Sequence, residues 1–487
     1  MSEPRADAGR MTSSPTEIGR RPELGGRFAP VPDEIDAVDL PVEGTLPPEL
    51  TGRYLRNGPN RLPGEEPGHL FTAHGMLHGV RLREGRAEWY RNRWVRTRAL
   101  EGRPFMSEAG VDLTAVPANT HVIEHAGRLF ALVENGLPYE VDGELATIGP
   151  CDFGGRLTTA MTAHPKTDPD TGDLHFFGYS PFPPFLTYHR LSADGAELTS
   201  RGVDVAGPTM MHDFAVTAEH VVWLDLPMTF QWERMATGMP FGWDEAYGAR
   251  LGVMRQDDPA CTVTWFDVDP CYVFHVGGAH TDTRGRVVVD GARYAPADVG
   301  VMWGGAPDGP SSAPLRRPGP GDPAAAAAAT GAARMHRWVL DPRDGSVTET
   351  ALEDRGVEFP TLDESLVGRE ARWRYAIADR GVQNERAGAV VKVDGDGTLT
   401  AHELGPDVTA GEAVFVPSSG RAPARAEDDG WLLTITTTRD GRASQLLVLD
   451  ATDVAAAPVA AVTLPRGVPA GFHGSWVPSA REQNEDV

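Results

Sequence analysis

The chain has 487 residues, is 40% hydrophobic, and carries a formal charge of −24 from 45 basic and 69 acidic side chains. That is enough apolar material for one large core or for two to three ordinary domains. The acidic balance excludes nucleic acid or anionic lipid held by bulk charge, while a local apolar membrane contact stays open.

Residues 1–26 are rich in Arg, Glu, Ser, Pro and Gly and lack the apolar core of a secretory signal. They are expected to form a disordered leader to a single domain over 27–487, in a cytoplasmic protein. No stretch approaches the roughly 18 consecutive apolar residues of a membrane-crossing helix. The three cysteines, Cys151, Cys261 and Cys271, have no metal-type spacing and suit a reducing compartment.

After a Pro-rich, irregular stretch at 31–50, short apolar runs alternate with turn residues. Segments 77–82 and 86–94 flank Glu84-Gly85, and 121–124 and 128–134 flank Ala126-Gly127. Similar turns follow at 168–173, 192–195, 341–345, 394–397 and 439–441. Such Gly-containing turns between β-branched runs are hairpin signals. Helical periodicity is scarce and is expected only around 101–116 and 231–238. Many short strands without βαβ alternation predict an all-β repeat fold such as a propeller. A Pro/Gly/Ala-rich stretch at about 306–333 reads as a flexible surface insertion, because the strand pattern resumes at Met335.

Four of the 15 histidines stand in apolar or small-residue surroundings: His164, His212, His275 and His473. His69, His74, His125, His220 and His402 lie in polar or turn contexts and read as solvated. His175 and His189 read as ordinary strand positions. A buried imidazole needs a partner for each nitrogen. Taken singly, each of the four is more often a satisfied core histidine than a ligand, and their spacing matches no local zinc motif. A propeller could still bring them together, because residues from separate blades meet on its axis. Three carboxylates in apolar runs, Glu134, Glu358 and Glu412, raise the case for one shared metal ion. Each could accept the free ring N–H of a metal-bound histidine. A backbone or arginine partner at a strand end would satisfy any one of them equally well.

Eight stretches together resemble the carotenoid cleavage oxygenase family. They are GTLPPELTGRYLRNGPNR (44–61), YRNRWVRT (90–97), TAHPKTDPDTGDLHFFGYS (162–180), MMHDFAVT (210–217), EFP (358–360), GEAVFVP (411–417), AEDDGWLL (426–433) and GFHG (471–474). The resemblance runs from about residue 44 to 476. It implies a seven-bladed β-propeller with Fe(II) on its axis and a small helical cap over the substrate tunnel. It implies His164, His212, His275 and His473 as the iron ligands. It implies that Glu134, Glu358 and Glu412 orient the second, third and fourth of them and leave the first without a carboxylate. The activity implied is O2-dependent cleavage of one C=C bond of a carotenoid or apocarotenoid, giving two carbonyl products, with no side chain acting as nucleophile or base.

The sequence departs from the family at 71–76, usually an acidic segment, and at Gly278 and His280, which stand where asparagine and an aromatic or acidic residue are common. Val133 stands where stilbene-cleaving members look to carry a lysine, which disfavours a phenolic stilbene and favours a polyene. Thr120 resembles a residue beside the vacant iron position and reads equally well as a strand-end threonine or as an O2 gate. A polyene dissolved in a membrane calls for an apolar entrance and peripheral contact. Leu100, Phe105, Met106 and Leu113 form one candidate patch, and Phe230, Met235, Met239 and Phe241 a second; both sets fit a core equally well. Three other readings stay open: a stilbene- or phenylpropanoid-cleaving dioxygenase, a propeller that binds a ligand without turnover, and an isomerase or hydrolase variant on the same iron.

Overall fold

The computed structural model describes residues 25–65, 69–108, 110–237, 239–303, 331–378, 388–418 and 425–479. Strand formation follows the expected punctuation. Arg83 pairs with Arg86 across Glu84-Gly85, and His125 with Arg128 across Ala126-Gly127. In both turns the two central residues have positive φ, 48° and 75° in the first and 52° and 75° in the second. That conformation matches the right-handed twist of the flanking strands and fixes their register.

The strands form seven antiparallel sheets of four to six strands, the blades of a propeller. Blade 1 takes Asp36–Val38, Gly52–Asn60, His74–Arg83 and Arg86–Trp94, together with the C-terminal Gly474–Pro478. Blades 2, 3 and 4 begin at His121–His125, Lys166–Thr167 and Ala215–Val216. Blades 5 and 6 begin at Tyr272–Thr281 and Glu358–Thr361. Blade 7 combines five strands of the C-terminal region with the early Val42–Gly44. Each end of the described chain thus completes a sheet built mainly from the other end. Val42–Gly44 pairs with Ala460–Thr463, and Gly474–Pro478 pairs with Gly52–Asn60. Closing the ring in this way ties the first and last blades together and leaves short edge strands, Asp36–Val38 and Val42–Gly44, at their outer sides.

The blades pack through the large side chains on their faces. Phe214 stacks on Trp223 with ring centroids 5.6 Å apart, and Phe177 meets Phe214 edge-on at 5.2 Å. Burying each such ring contributes roughly 1.5–3 kcal/mol. Nearer the axis the link is polar. The Asp213 carboxylate accepts from Lys166 Nζ at 2.7 Å and from the N–H groups of Phe214 and Val276, both at 2.8 Å. One buried acid thereby joins blades 3, 4 and 5.

Three local expectations are corrected. Residues 101–116 form no helix; turns lead into a short hairpin, Met106–Ser107 with Gly110–Val111. Gly102 and Gly110 both have positive φ there, which an α-helix cannot continue through. The second expected helix is a 3-10 helix, Trp232–Thr237, beyond the hairpin Met228–Phe230/Phe241–Trp243. The cap is therefore less helical than expected. One α-helix, Pro296–Trp303, falls where the sequence reading placed none. Most of the expected insertion at 306–333, and nearly all of the leader at 1–26, lie outside the described residues; strand structure resumes at Arg334 as expected. His125 is buried rather than solvated, its Nε2 2.9 Å from the Ser192 carbonyl. The two-residue turn after it folds the strand end under the neighbouring blade.

Candidate metal centre

The four apolar-context histidines arrive from different blades. His164 and His212 lie just before the first strands of blades 3 and 4, and His275 lies within the first strand of blade 5. His473 immediately precedes Gly474–Pro478 of blade 1. First strands of adjacent blades contact one another around the axis, so residues at these positions converge there. Each histidine presents one ring nitrogen to a common point, and the four atoms lie within 4.8 Å of one another. Ring centroids are 4.5 Å apart for His164 and His212, 4.5 Å for His164 and His473, and 4.8 Å for His275 and His473.

Three of the rings are held from behind. His212 Nδ1 is 2.6 Å from Glu134 Oε2, His275 Nδ1 is 2.5 Å from Glu358 Oε2, and His473 Nδ1 is 3.0 Å from Glu412 Oε1. A carboxylate accepts, so each of these Nδ1 atoms carries the proton and each Nε2 lone pair faces the axis. The glutamates are themselves tied down. Glu134 Oε1 accepts from the Tyr179 hydroxyl at 2.8 Å. Glu358 Oε2 also accepts from Phe359 N–H at 2.7 Å, and Glu412 Oε2 from Gly474 N–H at 2.8 Å. His164 has no carboxylate, the arrangement that the resemblance implied.

The donor set fits a metal cation. His164 Nε2 and His212 Nε2 stand 3.0 Å apart, and His275 Nε2 is buried with no hydrogen-bond partner. Two imidazole nitrogens at that range need a proton or a cation between them, and a cation would also serve the unpartnered His275 Nε2. The rings are also in the form that a metal binds. Burial and the neighbouring imidazoles hold His164 and His473 well below the usual histidine range, and burial lowers His275 to about 3. Burial raises Glu412 and pushes Glu358 up to about 7; a cation on the attached imidazole opposes this and favours the carboxylate form.

The centre opens onto a cavity of about 930 Å³, lined by His212, His275 and His473 among mainly apolar side chains. Val133, beside Glu134, forms part of the wall, as does Thr120. Thr120 Oγ1 donates to Asn119 Oδ1 at 3.0 Å, and its carbonyl accepts from His473 N–H at 3.1 Å. Of the two expected apolar patches, Phe105, Leu113, Phe230, Met239 and Phe241 line this cavity. Met106 and Met235 are exposed at its rim, and Leu100 packs against a small cluster with Val31, Met76 and Trp94. The sequence reading missed Phe182, Trp232 and Val111, exposed residues on the same rim. Phe182 and Trp232 sit in polar or Pro-rich runs that carry no periodic signal. It also missed Tyr179, Asp213 and His121, whose partners lie in other blades.

A family model described as retinal pigment epithelial membrane protein matches residues 28–478. The chain is 37% identical to a carotenoid cleavage oxygenase of Mycobacterium tuberculosis, over 96% of this chain and all of that one. It is 31% identical to carotenoid 9,10(9',10')-cleavage dioxygenase 1 of Arabidopsis thaliana, over 95% of this chain and 91% of that one. Among solved structures, a lignostilbene dioxygenase of Pseudomonas brassicacearum superposes with a TM-score of 0.80 at 28% identity, covering 94% of this chain and 99% of that one. The cobalt-substituted apocarotenoid oxygenase of Synechocystis superposes with a TM-score of 0.77 at 26% identity, covering 96% and 99%.

Proposed function

Because the chain belongs to the carotenoid cleavage oxygenase family, described by the retinal pigment epithelial membrane protein model, we propose that it is an Fe(II)-dependent dioxygenase that cleaves one C=C bond of a carotenoid or apocarotenoid. One alkene and one O2 give two carbonyl products, each taking one oxygen atom, so no further oxidant or reductant is needed. The observation that carries this reading is the ring of four imidazoles, three of them backed by glutamates, at the end of an apolar cavity.

His164, His212, His275 and His473 would hold the iron, and Glu134, Glu358 and Glu412 would keep three of them in the Nε2-binding tautomer. Iron, when bound, supplies the redox and Lewis-acid chemistry that activates O2 toward an alkene. Four neutral imidazoles would add no negative charge and would leave part of the metal's coordination free beside the substrate. The protein's part is positional. Phe71, Phe230, Phe241 and Phe359 line a slot that orients a flat polyene and excludes water. Thr120 lines the wall beside the rings, which fits a gate on the open side. No side chain is needed to move a proton.

The apolar rim of Met106, Val111, Phe182, Trp232 and Met235 fits peripheral contact with a membrane that holds the polyene. No helix among the described residues is long and apolar enough to cross a membrane. The buried free thiols of Cys151, Cys261 and Cys271 fit the cytoplasmic location expected from the sequence. A second reading is cleavage of a stilbene, which the likeness to the lignostilbene dioxygenase favours. Against it, Val133 offers no cation to a phenolate.

The test is iron per chain for protein prepared with Fe(II), wild type and His473→Ala, followed by O2 uptake with apocarotenoids and with hydroxystilbenes. About one iron per chain, lost in the variant, and two carbonyl products from the apocarotenoid are expected. Turnover of stilbenes alone would replace the first reading with the second. A stable wild-type protein that cannot be loaded with Fe(II) would leave a propeller that binds without turnover.

A further inference from the structure

His164 is the one imidazole of the four with no glutamate behind it, so something else must fix its position. The structure offers a fifth histidine. His121, in the first strand of blade 2, packs with its ring centroid 5.2 Å from that of His473 and 6.2 Å from that of His164. Its Nδ1 is 2.8 Å from the carbonyl of Ala163, the residue before His164. Its Nε2 is 3.2 Å from Ser475 Oγ, two residues after His473, and that hydroxyl lies 2.7 Å from the Val122 carbonyl. A carbonyl can only accept, so Nδ1 carries the proton of the neutral ring; Nε2 packs beside a hydroxyl whose own hydrogen goes to the Val122 carbonyl. Thr162 Oγ1 adds a second restraint by accepting from His164 N–H at 3.1 Å.

We infer that His121 is a positioning residue for the metal centre: it braces the backbone that carries His164 against the strand that follows His473, in place of the missing carboxylate. His121 is not among the four residues whose ring nitrogens converge; its Nδ1 donates to the Ala163 carbonyl and its Nε2 lies beside Ser475 Oγ. Its role is to set the spacing between the two rings it lies beside. Neither partner is near it in sequence, and they come from two other blades. The inference rests on the reading of the four histidines as metal ligands.

The test uses the full chain, stripped of metal and titrated with Co(II), whose visible absorption reports both binding and ligand geometry. Three variants separate ring volume from hydrogen bonding. His121→Phe keeps the ring and loses the bond to Ala163 and the polar contact with Ser475. His121→Asn keeps a donor near the Nδ1 position, and His121→Gln keeps a polar group nearer Nε2. The expected result is Co(II) affinity weakened roughly 10-fold or more in His121→Phe with shifted absorption bands, and recovered to within about threefold of wild type in His121→Asn. Affinity within about twofold of wild type and unchanged bands in His121→Phe would overturn the inference. Should His121→Phe fail to fold, the Asn and Gln variants decide, because equal affinities would show that the Ala163 contact does not matter. Wild-type protein that binds no Co(II) would remove the four-histidine site itself, and the inference with it.

Discussion

Each glutamate behind an imidazole does more than accept one proton, and the three differ in what they can tolerate. Glu412 uses both oxygens on fixed donors, His473 Nδ1–H and Gly474 N–H. An amide at 412 must turn its NH2 against one of those donors. Glu358 takes His275 Nδ1–H and Phe359 N–H on Oε2, the Tyr294 side chain is a further donor to this carboxylate, and Oε1 lies buried outside the first two bonds. An amide at 358 can keep its carbonyl toward the His275 and Phe359 donors and place its NH2 on the buried Oε1 side, near the Tyr294 side chain. Glu412→Gln should therefore lose roughly 10- to 100-fold in metal affinity, and Glu358→Gln clearly less. Metal per chain after dialysis against a graded chelator checks the order; equal losses would mean that charge, not donor geometry, sets the hold. In the sequence these glutamates were legible only as carboxylates in apolar runs. Which histidine each faces was implied by the family resemblance, and the structure pairs them the same way through contacts 61 to 83 residues apart.

Among the elements, the blades and the cap follow different rules. A blade strand is read from alternation and turn chemistry, both local, and so 77–82, 86–94 and 128–134 emerge close to the observed Leu77-containing, Arg86-led and Arg128-led strands. The cap consists of short hairpins and one 3-10 helix whose apolar residues have no period to read. Its exposed Phe182 and Trp232 pack on each other with centroids 5.7 Å apart, leaving about half of each ring in water. Replacing both with serine should leave the unfolding midpoint nearly unchanged, since little burial is lost. It should also lower co-sedimentation with neutral lipid vesicles and raise KM for vesicle-borne substrate more than it lowers kcat. Unaltered vesicle binding would make the rim an ordinary exposed surface.

At the scale of the whole molecule, pH response follows from buried histidines outside the four-imidazole cluster. His175 and His189 lie inside blade 3, His175 Nδ1 2.6 Å from the Tyr188 hydroxyl and His189 Nδ1 2.8 Å from Ser200 Oγ. Burial holds both down to about 4. An unfolded imidazole takes up its proton near pH 6.5. Between about pH 6.5 and 4 the unfolded chain binds more protons, so stability falls as pH falls, by at most ~1.4 kcal/mol per pH unit for each such histidine. Denaturation midpoints of the metal-free protein at pH 7.5, 6 and 4.5 should decline in that order. A flat profile would mean that these rings reach water in the folded state.

Local patterning and motif order, both written along the chain, carried the all-β class, the lack of any run of roughly 18 apolar residues, the candidate ligands and the three acids near them. Only the tertiary structure decided what those residues do to one another. Ring closure is the physical reason. A propeller places on one axis the first strands of blades far apart in sequence, so His164 meets His473 at 4.5 Å and Asp213 joins three blades. The cap and the fifth histidine were hidden for the same reason. Their partners are fixed by how blades meet, and no local period in the chain encodes that.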